Sequence, residues 1–229
     1  AQDSDEAAFR ALVDRLLNGT EGERHRAAAR LAFLGRSDEV VPRLVPRLRH
    51  SDPATRCSTA RLLGLLESRR AVTPLIAALQ DEDWAVRRDV VDALGQLDDR
   101  RAAPRLRQLL RDPRIEVRIR TVRALTELED FDEIIASLGT EEEPQVRVNL
   151  VDALEFDPRP AATRALDRLF DDDSEVIRRL AARIMVKRGS PRAVEIIAAD
   201  LNREHSLSVR VNAAENLAES TGDAVAPAR

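Results

Sequence analysis

Arginine and carboxylate at fixed separations are the chemistry this 229-residue chain repeats most often. Arg56, Arg87, Arg118, Arg147, Arg178 and Arg210 follow one another at intervals of 31, 31, 29, 31 and 32 residues, each in a Val-Arg dipeptide or a close variant of it. Six residues ahead of these arginines stands an acid, namely Asp81, Asp112, Glu141, Asp172 and Glu204, with His50 breaking the series before Arg56. A second acid lies four residues ahead in three cases, Asp52, Asp83 and Glu143. An acid in a turn and an arginine one turn into the following helix can bond across neighbouring modules. The pattern therefore predicts a ladder of ion pairs that fixes a stacking angle; a partly buried pair in such a role specifies geometry more surely than it adds stability. Helix capping plus solvated surface charge is the competing reading.

No other constellation assembles into a reaction centre. His25, His50 and His205 have no second histidine or carboxylate at a recognisable ligand spacing. Cys57 is the only cysteine, which excludes an internal disulfide and a cysteine-based zinc site. There is no Gly-rich phosphate loop, no nucleophile elbow and no Cys/His pair. The acidic runs Glu141-Glu142-Glu143 and Asp171-Asp172-Asp173 fall where turns enter helices, where negative charge is favourable. No catalytic residue, metal site or cofactor is expected. Trp84, the only tryptophan, fills a turn slot taken elsewhere by Pro53, Ile115 and Pro144; it is expected to be partly exposed, either packed on the adjacent module or serving as a binding hot spot.

The elements that carry these residues are helices in pairs. Val86, Val90, Val91, Leu94 and Leu97 recur at helical spacing, and Leu106, Leu109 and Leu110 form a facing stripe. Neither helix can bury its stripe alone, so the pair must form and then stack on the next. Asp52-Pro53 and Asp112-Pro113 read as an N-cap acid before a first-turn proline, and Ser190-Pro191 does the same for a later helix. Gly35, Gly139 and Gly189 read as helix ends. Gly64 and Gly95 sit inside helices, where close approach of a neighbour is the expected return. Aromatics are only 3% of the chain, so small and aliphatic residues must fill the core. The fold expected is all-α, a right-handed α-solenoid of about six to seven stacked two-helix repeats. Its parts are a capping helix over 1–19, a solenoid over 20–219 (modules near 20–50, 51–80, 81–111, 112–140, 141–170, 171–203 and a partial 204–219), and a tail over 220–229.

The run Asp81 to Leu97, with its Asp-x-Asp-x-x-Val-Arg start and Ala-Leu-Gly near its end, and the segment Ala71-Val72-Thr73-Pro74-Leu75 together resemble the short HEAT-like repeats first described in phycobilin lyases. The resemblance spans roughly residues 20–219. It implies the solenoid fold. It also implies a wide choice of roles, including scaffolds, signalling adaptors, chaperone-like subunits and chromophore lyases, because a fold does not choose among them.

Charge narrows that choice. The net charge is -4, which is not the global signature of a nucleic-acid binder. Locally, seven arginines between Arg24 and His50 face only Asp38 and Glu39, whereas Glu127 to Glu143 holds eight acids and no base. If second helices line a concave face, Arg43, Arg47, Arg101, Arg105 and Arg107 gather toward the N-terminal half and Asp132 and Glu133 follow. With Trp84 these are the candidate partner-binding residues. The leading expectation is a non-enzymatic scaffold or adaptor that binds another protein on that face, itself a monomer or weak oligomer. A bilin-lyase-like subunit is one alternative. Nucleic-acid binding in an Arg-rich groove is the other, poorly supplied with stacking aromatics. No stretch reaches the roughly 18 apolar residues of a membrane-spanning helix, the start AQDSDEAAF shows no secretory signal, and a cytoplasmic location is the default expectation.

Overall fold

The computed structural model describes residues 2–202. Glu204, His205, Arg210, the partial module over 204–219 and the tail over 220–229 lie outside the described residues. All regular elements among the described residues are helical. They fall into two compact units that divide between Asp130 and Phe131, inside the stretch read from sequence as the fourth module.

The first unit begins with α1 (Gln2–Asn18), then α2 (Glu21–Phe33) and α3 (Ser37–Leu44), which tightens into a 3-10 turn over Val45–Arg49. Two further pairs follow, α4 (Pro53–Leu65) with α5 (Val72–Ala78) and α6 (Trp84–Gln96) with α7 (Ala103–Leu109), and the unit closes with α8 (Ile115–Glu127). First helices stack on first helices, α4 on α6 and α6 on α8, while α5 and α7 lean on the first helix of the next module. The second unit repeats the plan in α9 (Asp132–Ser137), α10 (Pro144–Ala153), α11 (Pro160–Arg168), α12 (Glu175–Lys187) and α13 (Pro191–Asn202). In it α10 packs on α12, and α12 on both α11 and α13.

Local chemistry sets the boundaries. Thr20 and Glu23 close a reciprocal capping box on α2, and this hydrogen bonding holds the Glu23 carboxyl below its ordinary range. Asp52 caps α4 by accepting from the Ala54 and Thr55 amides, with Pro53 at the first helical position. Asp83 accepts from the Ala85 amide, so α6 starts at Trp84. The Asp112-Pro113 reading needs correction. Asp112 accepts from the Arg114 amide in a turn, its carboxylate is held by Arg87, and α8 starts later, at Ile115, behind Arg114. The second helices α5 and α7 are short, seven α-helical residues each after a 3-10 turn, because Ser68 and Asp99 cap that turn from the side.

The core is aliphatic. Leu31, Leu44, Leu63, Leu75, Leu94, Leu106 and Leu125 are fully buried in the first unit, and Leu150, Leu166 and Ala181 in the second. Truncating one such leucine to alanine costs about 2–5 kcal/mol. Glycine inside α4 answers a packing demand. A Cβ on Gly64 would lie 3.0 Å from Ala93 Cα and 3.1 Å from its Cβ on α6, so α4 and α6 meet almost backbone to backbone there. Three first helices of the first unit end on a non-glycine residue in the left-handed region, Glu67, Asp98 and Glu129, where Gly35 and Gly189 stand in the outer modules.

The close approach at Gly64 makes a comparison of two alanine variants informative. Gly64→Ala is expected to destabilise by about 1–3 kcal/mol, since overpacking outweighs the gain in helix propensity. Gly139→Ala, where nothing lies within 4 Å, is expected to be neutral or slightly stabilising. Urea unfolding of both variants measures the contrast.

Candidate interaction surface

From the second module on, a recurring guanidinium organises the module turns. Arg56 donates from Nη1 to the carbonyls of His50 (2.8 Å) and Ser51 (3.1 Å) in its own turn. Its other edge meets Asp81 of the next module, Nε to Oδ2 at 2.7 Å and Nη2 to Oδ1 at 2.8 Å. Arg87 repeats the arrangement, to the Asp81 and Glu82 carbonyls and to both oxygens of Asp112. Arg118 donates to the Asp112 carbonyl at 2.7 Å. In the second unit Arg147 bonds Asp172, and Arg178 donates to the carbonyls of Asp172 and Asp173. Each acid also accepts from the amide two residues on, as Asp81 from Asp83, Asp112 from Arg114, Glu141 from Glu143 and Asp172 from Ser174. The pairs are well enclosed, with the side chains of Arg56 and Asp81 8% and 10% exposed. The hydrogen bonds to Asp81 and Asp112 raise the Arg56 and Arg87 pKa values, so both stay charged. His25 stands in the first module where the arginine recurs elsewhere, and its Nδ1 lies 2.8 Å from the Glu21 carbonyl.

The partner-binding candidates divide in two. Arg47 is used internally, donating to the Leu17 carbonyl at the end of α1 (2.7 Å). Arg101 is pinned at the start of the second helix by Asp99 and donates to the Arg69 carbonyl. That hydrogen bonding pushes the Asp99 carboxyl down to about 2. Arg107 bonds Asp130, and Asp132 accepts a hydrogen bond from the Arg159 guanidinium. Glu133 is half-buried on α9. Trp84 is half-buried too, with the guanidinium groups of Arg114 and Arg88 4.7 and 5.5 Å from its ring centre. Arg43 and Arg105 are exposed; Arg105 reaches only the Gln108 carboxamide, at 3.1 Å.

A groove of about 920 Å³ runs between the 3-10 turn of the first module and α5 of the second. Val45, Pro46 and Leu48 form one wall and Pro74, Ala77 and Ala78 the other. The Arg56–Asp81 pair, Arg49, His50 and Glu82 also line it. Buried Cys57 is unsuited to nucleophilic work, because burial and the nearby Asp89 charge push its thiol up to about 11. Among the described residues no group of three His, Cys, Asp or Glu residues could hold a metal ion, and no helix is long and apolar enough to cross a membrane.

One set of charges escaped the sequence reading. On the first-helix side, Glu21 reaches Arg61 at 3.2 Å, and Arg61 and Arg88 both contact Asp89. Asp92 lies 3.7 Å from Arg120, and in the second unit Arg183 meets Asp152 at 3.0 Å. Arg61 Nε is 3.2 Å from Asp89 Oδ2 but off the hydrogen-bonding axis, so it offsets the charge without satisfying that oxygen. Burial outweighs the pull of Arg120 and lifts the Asp92 carboxyl above its usual value. A signal was present: the fifth residue after the repeat arginine alternates in sign, through Arg61, Asp92, Arg123, Asp152 and Arg183. A search for a repeated residue type passes over an alternating one.

The family described as HEAT repeats matches residues 41–126 and 131–218. The chain belongs to the HEAT-repeat family. Comparison with curated protein sequences finds no match. Among solved structures, this HEAT-repeat protein is similar to an archaeal HEAT-like repeats protein from Thermococcus onnurineus, at 17% identity and a TM-score of 0.57 over 95% of this chain and 98% of that one. It is similar to the CpcE–CpcF complex of phycocyanin lyase from Nostoc sp., at 23% identity and a TM-score of 0.52 over 92% and 87%. A designed armadillo repeat protein in complex with a (KR)4 peptide aligns at 20% identity and a TM-score of 0.54 over 79% and 98%. These likenesses establish the α-solenoid class of repeat.

Two measurements probe the charge network. Asp112→Ala is expected to cost about 3 kcal/mol, because it leaves the enclosed Arg87 fork unpaired and removes a turn bond. Arg87→Lys should recover only part of this stability, since an ammonium cannot bridge two carboxylate oxygens and two carbonyls together. For Asp99 the folded pKa lies below the unfolded value of about 3.9, so its contribution is present above pH ~4 and lost as pH falls toward 2. Acid titration of thermal stability should therefore fall less steeply over that window in Asp99→Asn.

Proposed function

We propose that this HEAT-repeat protein is a non-enzymatic scaffold or adaptor that captures a segment of another protein on the side formed by its second helices. The observation that carries the reading is the groove between Val45–His50 and α5. It is open, its walls are prolines, alanines and aliphatic side chains, and its polar groups sit beside an ion pair already matched within the fold. Such a trough suits an extended peptide whose backbone and small side chains lie along it; a small-molecule site is more enclosed and carries convergent polar groups. The designed armadillo protein shows a related fold holding a basic peptide. In the first unit Arg43, Arg49 and Arg105 are exposed second-helix charges without an acidic partner among the described residues, so an acidic segment is the better complement. A lyase role has less support, since the single thiol is buried and held protonated. A nucleic-acid role lacks stacking side chains.

The test is affinity capture from native lysate at two salt concentrations, with mass spectrometry, comparing wild type with Ala77→Trp, which fills the groove, and with Arg43→Glu/Arg105→Glu, which breaks no ion pair to an acid. A discrete partner retained by wild type and lost from both variants is the expected result. An identical partner set in all three samples defeats the proposal.

A further inference from the structure

The outer face of α2 places two arginines side by side without an ion pair among the described residues. Gly22, Arg26, Ala29, Arg30 and Phe33 are all exposed and follow at helical spacing, so they form one stripe along the helix. Phe33 is 79% exposed and its neighbour Leu34 45%; among the described residues the other exposed large apolar side chains, Phe156 and Val176, belong to the second unit. The Arg30 guanidinium lies 5.1 Å from the centre of the Phe33 ring. The nearest acids are hydrogen-bonded elsewhere, Glu23 in the capping box with Thr20 and Glu21 with Arg61 of α4, so Arg26 feels the Glu23 charge without bonding it. Among the described residues neither Arg26 nor Arg30 forms an ion pair, whereas arginines at the module junctions bond carboxylates or carbonyls.

We propose that this stripe is a second docking surface, separate from the groove, and that its occupant is an acidic amphipathic helix of a partner protein. Carboxylates one helical turn apart on that helix match Arg26 and Arg30, which lie one turn apart on α2. An apolar side chain of the occupant covers Phe33 and Leu34. Excluding water there strengthens both the ion pairs and the cation–π contact, which are weak while exposed. Arginine and a large aromatic side by side on an otherwise polar surface are the composition of interface hot spots. Both cations of the stripe are guanidinium groups, which can bind a carboxylate in a bidentate manner.

The experiment uses the full chain as bait for a phage-displayed library of random 20-residue peptides, with enriched peptides then synthesised and titrated by fluorescence anisotropy. Enriched peptides should be acidic, with leucine, isoleucine or phenylalanine at helical spacing. Their affinity should drop at least tenfold in Arg26→Glu/Arg30→Glu and in Phe33→Ser, and severalfold between 50 and 300 mM salt. It should be unchanged in Ala77→Trp, which separates this surface from the groove. Circular dichroism melts of the variants check that they fold, as expected for fully surface positions. Enriched peptides that are neutral or basic, or that bind the α2 variants as well as wild type, overturn the proposal. So does a 20-base-pair DNA duplex that binds more tightly than any selected peptide and loses binding in the same α2 variants. Peptides lost only from Ala77→Trp would leave the groove reading intact and remove this one.

Discussion

A guanidinium that donates to two carbonyls of its own turn and to both oxygens of the next module's carboxylate ties three things at once. It closes the turn, sets the start of the first helix and fixes the spacing to the following layer. In the first unit Arg56 and Arg87 do this to Asp81 and Asp112, and Asp81 in turn gives its backbone carbonyl to Arg87. Each acid is thus shared by two arginines, one through its side chain and one through its backbone. Only arginine has the planar fork for this geometry, and all basic residues of the chain but Lys187 are arginine. The pairs are enclosed, so desolvation offsets much of their attraction. Their contribution is to select one stacking geometry from the many that a purely aliphatic interface would tolerate.

That selection matters because the helix interfaces are themselves smooth. The buried surface is leucine, valine and alanine, and the close approach at Gly64 and Gly95 leaves little side-chain relief to lock one register. A second set of charges on the first-helix side, from Glu21 through Arg61 and Asp89, restrains the opposite edge of the same layers. With a polar tie on each side of an apolar seam, a layer of the first unit resists both twist and slip. Stability in such arrays comes largely from nearest-neighbour interfaces, so a local defect in one tie is felt mainly at its own junction.

The fold was legible because its signals repeat. A thirty-residue period, apolar stripes at helical spacing and proline-marked starts such as Asp52-Pro53 lead directly to paired helices. What escaped was whatever depends on which of two bonds an acid makes. Asp112 precedes a proline as a cap would, yet the carboxylate is turned toward Arg87 and the helix waits until Ile115. The surface was less legible than the core for a related reason. Sequence shows that Arg101, Arg107 and Arg105 lie near one another on a second helix, but not that Asp99 and Asp130 hold the first two. A charge count cannot distinguish an arginine that builds the fold from one that faces a partner.

That distinction is where structure adds most for a protein of this kind. A repeat stack has no deep cavity whose chemistry announces a substrate, so function resides in residues the architecture does not need. Here the architecture's needs are explicit: a fork at the Arg56 and Arg87 junctions, an alternating charge on the first-helix side and a capped 3-10 turn before α5 and α7. Subtracting the side chains that meet them leaves a remainder that includes Arg26, Arg30, Phe33, Arg43 and Arg49 in the first fifty residues. At the junction of the first and second modules His25 and His50 replace the recurring arginine and the recurring acid. A module relieved of the constraint that shapes its neighbours is free to vary its surface, and its unmatched arginines and exposed phenylalanine are what such freedom leaves for recognition.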